Sequence, residues 1–224
     1  MKKYRFEIII FIAEAICMIL ELLASRILSP YFGNSNIVWT SVIGIILLSG
    51  SIGNYIGGII ADKDKVERNL KITLIITAIF MIFIPIIQKY IISFVLGITQ
   101  NKKIGAVLCT LLLFFIPSML MGLLSPIVVK LKLKSLETAG RVSGKIHAIA
   151  TVGAFLGGFF LIPNFGSINI LCVLTILVLI LIPLVDLKIK NISNIFIAIM
   201  LIITIILIVY YTELNNINGK HVLK

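Results

Sequence analysis

Long apolar runs separated by short polar breaks set the pattern of this chain. A helix rises about 1.5 Å per residue, so roughly 20 apolar residues cross a hydrocarbon layer about 30 Å thick. Seven stretches reach or approach that length: 6–28, 37–61, 70–87, 104–129, 142–162, 167–185 and 192–211. A further run, IISFVLGI (91–98), is too short to span and either extends the third helix or lies at the interface. Residues 212–224 form a short polar tail, and no polar segment is long enough to fold alone. The pattern predicts an all-α, polytopic transmembrane bundle of about seven spans within residues 1–211.

Composition agrees. Of 224 residues, 60% are hydrophobic and only 13% are charged, whereas soluble domains are about half apolar and about a quarter charged. Cys17, Cys109 and Cys172 are far apart, each within an apolar run. They form neither a disulfide framework nor a metal-ligand spacing, and read as buried thiols. The start, MKKYRFEIIIFIAEAICMILELLASRILSP, has the basic entry of a signal peptide, but its apolar part is too long, is interrupted by acids and lacks a small-residue cleavage site. It reads as a retained first span.

A net charge of +11 in a soluble domain would suggest nucleic acid. Here the charge is distributed as an orientation signal, and no nucleic-acid partner is expected. With the N-terminus inside, 14 of the 20 Lys and Arg residues fall on the cytoplasmic side, among them Lys2, Lys3, Arg5, Lys63, Lys65, Arg68, Lys130 and Lys132. Six, including Arg26, Lys89, Lys102 and Lys103, fall outside. Seven spans then place the C-terminus outside.

Glycine and proline punctuate the spans. Gly53 and Gly57 form G-x-x-x-G in the second, and Gly153 and Gly157 form another in the fifth. Small residues let helix backbones approach where no hydrophobic drive acts between helices, so these two spans are expected to be tightly packed inside the bundle, or at a moving interface. A phosphate-loop reading fails, because it needs a strand before the glycines and a solvated helix start after them. Pro117 removes a backbone donor within the fourth span and predicts a kink.

The first span carries the candidate chemistry. Glu14 and Glu21 are about 20° apart at roughly 100° per residue, so both carboxylates share a face. Arg26 lies about 140° from Glu21, a poor intrahelical pair, and sits near the outer end where it can snorkel. An acid at mid-helix costs about 2.5 to 3.5 kcal/mol on insertion scales, so each must face protein or a wet cavity. Two stacked acids could bind an organic cation, exchange protons, or both. The plainer alternative is a structural hydrogen bond or ion pair to another helix. His147, with Thr151 one turn on, is a weaker candidate in the fifth span. Trp39 and Tyr31 read as interfacial anchors.

A family resemblance rests on ELLASRILSPYFGNSNIVWTSVIGIILLSGSIGNYIGGIIADK (21–63), with Glu21, Arg26, Gly33-x-Ser35, Trp39, Gly53, Gly57, Gly58 and Asp62 as the matching pieces. Two later stretches join it: IPSMLMGLLSPIVVKL (116–131) and GRVSGKIHAIATVGAFLGGFFLIPNFG (140–166). Together they resemble the transmembrane half of the spermidine-synthase-like membrane proteins, in which a major-facilitator-like bundle is fused to a soluble aminopropyltransferase-like domain. The segment GGIIADK (57–63) also resembles the head of the major-facilitator loop motif G-x-x-x-D-[RK], although DKVER replaces its usual basic continuation.

The resemblance implies a bundle like half of a major facilitator in a cell membrane, and the high Ile, Lys and Asn usage points to a bacterial source. Residues 1–224 hold nothing like the enzyme half, so this chain is not expected to synthesise spermidine, and no cofactor is expected. Two readings follow. One is a polyamine or organic-cation transport or binding subunit, completed by a homodimer or another partner, with Glu14, Glu21, Arg26 and His147 as candidate binding residues. Its helix-packing or gating set would be Gly53, Gly57, Gly58, Asp62, Gly153, Gly157 and Pro117. The other is a non-transporting membrane anchor or scaffold for a separately encoded spermidine-synthase-like enzyme.

Overall fold

The structure, a computed structural model, describes residues 5–132, 164–185 and 191–222, together with residues 140, 141, 144, 148, 151, 152, 155 and 159. Side chains are described for these residues apart from 191–195 and 212–222. It is an all-α transmembrane bundle of six long helices among the described residues: α1 (Arg5–Phe32), α2 (Asn36–Ala61), α3 (Val66–Ile98), α4 (Lys102–Lys132), α5 (Ser167–Val185) and α6 (Asn191–Val222). The first five are each long and apolar enough to cross a membrane, and α6 carries the apolar stretch Phe196–Tyr211. Of the span expected at 142–162, most residues, including His147, Gly153 and Gly157, lie outside the described residues.

Local chemistry explains where the helices turn. Gly33 takes φ +84, a left-handed conformation that suits glycine, and ends α1. Ser35 then caps α2, its hydroxyl accepting from the Val38 amide at 3.4 Å. Between α3 and α4, the Asn101 carboxamide oxygen accepts from the amides of Lys103 (3.0 Å) and Ile104 (3.5 Å), satisfying donors that a helix start leaves free. Lys130 and Lys132 occupy the last turn of α4, where the helix dipole favours cations.

Of two readings left at the ends of helices, the run 91–98 follows the first of its alternatives and the polar tail departs from its reading. The third span, read as 70–87, is part of a helix that continues through 91–98 to Ile98. Lys89 and Tyr90 lower the local hydropathy, but both are exposed, and their side chains can leave the apolar layer while the backbone stays helical. At 33 residues, α3 is about 50 Å long and exceeds the hydrocarbon thickness, so it tilts or projects. The polar tail is also helical, since α6 runs to Val222.

Packing places α4 at the centre, against α1, α2 and α3, while α5 packs on α3 and α1, and α6 on α5. The core is Ile9, Ile16, Leu20 and Leu23 from α1, Leu74 and Met81 from α3, Phe114 and Leu124 from α4, and Leu174 and Val178 from α5, each essentially inaccessible. Phe32 fits its ring where Gly105 has no side chain; a Cβ there would lie 3.1 Å from Phe32 Cδ1. Tyr211 donates to the Pro85 carbonyl at 2.6 Å, fixing α6 beside α3.

Helix α2 departs from the expectation of burial inside the bundle. It is peripheral, burying one narrow stripe of Val38, Val42, Ile46, Ser49, Gly53, Gly57 and Ala61. That stripe meets α4 backbone to backbone. A Cβ on Gly57 would stand 2.7 Å from the Leu123 carbonyl oxygen and 2.7 Å from Pro126 Cγ, and one on Gly53 would strike the Met119 carbonyl. From the other side, a Cβ on Gly122 would lie 3.1 Å from Gly50 Cα.

Candidate functional site

The midpoint of α1 falls between Met18 and Ile19. Glu14 and Glu21 lie on either side of it, each within about 7 Å along the axis and about 10 Å from one another. Both are half-buried, and Met18 between them is exposed. The opposite side of α1, through Ile9, Ile16, Leu20 and Leu23, enters the apolar core. The two acids therefore flank the core-facing stripe rather than sit in it, on a face that also carries Cys17 and the buried Ser25. Glu14 has a polar or electrostatic partner. Among the described residues, none forms a hydrogen bond or ion pair with Glu21. A half-buried carboxylate at mid-helix can accept several donors or a cation, which is the chemistry that compensates such a group in hydrocarbon.

Arg26 does not join this pair. It is exposed and donates to the Phe165 carbonyl at 3.0 Å, holding the entry to α5 against the far end of α1. Trp39 donates to the Asn34 side chain at 3.1 Å in the α1–α2 turn at the same end, with Tyr31 exposed beside it. Interfacial aromatics take such positions.

At the opposite end, ion pairs tie the helices together. Arg5 of α1 meets Glu67 of α3 at 2.6 Å and also donates to the Val185 carbonyl of α5 at 3.0 Å. Lys132 of α4 meets Glu7 of α1 at 3.0 Å, with both side chains about four-fifths covered (20% and 19% exposed). Lys130 of α4 meets Asp62, the C-cap of α2, at 2.9 Å. These contacts also fix direction. Lys132 lies at the Glu7 end of α1 and Phe165 at the Arg26 end, so the chain changes ends between them.

Of the glycine and proline set, Gly53 and Gly57 form the α2–α4 contact, whereas Gly58 faces away from it with open space around its Cβ position. Pro117 is buried within α4, which remains a single helix on both sides of it. Sequence reasoning singled out Asp62 but missed its partner Lys130, the Glu7–Lys132 and Arg5–Glu67 pairs, and Gly122 and Gly105. Only the concentration of charge at helix ends pointed toward the pairs. Among the described residues there is no strand, and no group of three His, Cys, Asp or Glu side chains is placed to hold a metal.

Compared with known protein families, characterised proteins and solved structures, the chain matches none of them.

Proposed function

We propose that this bundle is a transport or binding subunit for polyamines or related organic cations, of the spermidine-synthase-like membrane type that residues 21–63, 116–131 and 140–166 resemble. The observation that carries the reading is the Glu14–Glu21 pair, two carboxylates seven residues apart on one half-buried face at the middle of a membrane-crossing helix. A flexible chain bearing two or more ammonium groups can bridge carboxylates about 10 Å apart, exchanging water for charge-assisted hydrogen bonds.

The end carrying Arg5, Lys63, Lys65, Arg68, Lys130 and Lys132 is assigned to the cytoplasm by the positive-inside rule. The three ion pairs then lie on the cytoplasmic side, with Asp62 as the group through which α2 is tied to α4. The bundle is about half the size of a typical major facilitator, so a second copy or another membrane partner would complete a two-sided pathway.

Uptake of labelled spermidine and putrescine into proteoliposomes tests the reading. Wild-type protein should give saturable uptake, and Glu21→Gln should abolish it while retaining helical content and elution volume. Full uptake by Glu21→Gln refutes a role for the carboxylate. No uptake by any variant favours the anchor reading, in which the bundle localises a soluble enzyme and α1's acids are structural.

A further inference from the structure

Buried hydroxyls in this bundle divide into two groups. Ser49, Thr73, Thr77, Thr110, Thr175 and Thr204 each donate to a backbone carbonyl of their own helix, at 2.7 to 3.0 Å. Ser25, Ser118 and Ser125 are as deeply buried, at 4%, 0% and 7% exposed, yet none has a hydrogen-bond partner among the described residues. A hydroxyl taken out of water without a partner is costly.

These three serines lie on one seam. Glu7, Glu14 and Glu21 follow at seven-residue steps on α1, and Ser25 and Phe32 continue the same flank at about 100° per residue. Both ends of that flank touch α4, Glu7 through Lys132 at 3.0 Å and Phe32 through the slot at Gly105. The acids between them therefore face α4. The two helices run antiparallel, so seven-residue steps from the Glu7–Lys132 pair bring Glu14 level with Ser125 and Glu21 level with Ser118. Phe32 against Gly105 keeps this register to within two residues. Lys132, Ser125 and Ser118 share a flank of α4, and matched seven-residue steps on both helices are the geometry of a left-handed pair.

We propose that Ser118 and Ser125 form the second wall of the α1 cation site, with one ammonium group held between Glu21 and Ser118 and a second between Glu14 and Ser125. The inference rests on the cation reading of Glu14 and Glu21, and adds the residues that face them and the length of the ligand. An ammonium group donates up to three hydrogen bonds and accepts none, so carboxylate and hydroxyl oxygens suit it from opposite sides. Each serine can pass its own proton to a carbonyl of α4, as Thr110 does to Ala106. Ser25, one turn beyond Glu21, adds a third oxygen near that level. The two levels stand about 10 Å apart along the helices. A dication that fills both needs its ammonium groups equally far apart. Octamethylenediamine, with as many chain atoms between its end nitrogens as spermidine, spans them, and putrescine does not.

Paired cysteines test the register and diamine binding tests the ligand, both in full-length protein in nanodiscs. With Cys17, Cys109 and Cys172 replaced by alanine, a short bifunctional thiol reagent should join Glu21→Cys to Ser118→Cys and Glu14→Cys to Ser125→Cys. It should not join Glu14→Cys to Ser118→Cys. In the wild type, octamethylenediamine should bind more tightly than putrescine. Ser118→Ala and Ser125→Ala should each raise its dissociation constant about ten- to a hundredfold, as loss of a hydrogen bond to a charged group does, and should narrow the preference for the longer chain. Thr110→Val should change neither, because that buried hydroxyl of α4 is already satisfied. Unchanged affinity and preference in both serine variants would overturn the proposal while leaving the role of Glu21 standing, which Glu21→Gln reads separately. Failure of the matched pairs to cross-link in folded protein would also overturn it. No diamine binding to wild type would overturn it together with the cation reading.

Discussion

Replacing Gly57 with alanine should weaken the fold by a predictable amount. The new Cβ would stand 2.7 Å from the Leu123 carbonyl oxygen and 2.7 Å from Pro126 Cγ, where ordinary contact begins at 3.4 Å. Neither atom can swing aside, since one is helix backbone and the other belongs to a proline ring. Helix α2 must therefore withdraw from α4 by about 0.7 Å. A gap of about 0.5 to 1 Å forfeits roughly a quarter to a half of each dispersion well along the seam. In a bilayer that dispersion is much of what holds two helices together, because lipid is as apolar as leucine. Overpacking costs about 1 to 3 kcal/mol, and alanine's better helix propensity returns up to about 1 in any helical Gly→Ala change, so Gly57→Ala should fall about 1 to 3 kcal/mol below a Gly→Ala change at an open helical site. Gly97→Ala is the control, because nothing lies within 4 Å of its Cβ position on α3. Titration with a denaturing detergent in mixed micelles, followed by far-ultraviolet circular dichroism, reads both. Equal stability of Gly57→Ala and Gly97→Ala would refute the close-packing argument.

Other outcomes follow from the helix ends and the core. Glu7→Gln should lower stability by about 1.5 to 3 kcal/mol in the same titration, because it weakens a charge-assisted bond to Lys132 that is mostly covered. Asp62→Asn should change it by less than about 1 kcal/mol, because its carboxylate is 77% exposed and solvent screens the pair with Lys130. Tyr211→Phe should cost about 0.5 to 1.5 kcal/mol by removing the donor to Pro85, read most directly as faster hydrogen exchange in α6. Phe32→Ala should cost about 3 to 5 kcal/mol, because it empties the slot that Gly105 provides for the ring; thermal unfolding checks it.

The bundle was legible because hydropathy runs and membrane thickness share a length scale. The turn at Gly33-x-Ser35 was visible as a motif, and the structure gives its physics in a left-handed glycine and a capping hydroxyl. The close approach of Gly53 and Gly57 was also readable, but its partner was not. Gly122 stands alone in α4, and only the fold sets it against Gly50. The ion pairs were hidden for the same reason, since Arg5 and Glu67, or Glu7 and Lys132, are far apart in sequence. Whether 91–98 extends the third helix or lies at the interface stayed open in the sequence because hydropathy averages over Gln88, Lys89 and Tyr90, whereas helix continuation depends on backbone bonding that those residues do not interrupt. At the candidate site, helical phase placed Glu14 and Glu21 on one face, but it could not place Arg26 on the Phe165 carbonyl.

Equilibrium binding of spermidine to the purified protein in nanodiscs, with Mg²⁺ as a charge control, tests the central claim most directly. Wild type should bind spermidine saturably, without displacement by Mg²⁺ at equal charge, and binding should be reduced in Glu14→Gln and lost in a folded Glu21→Gln. Binding that survives in Glu21→Gln, or that Mg²⁺ removes at equal charge, would contradict it.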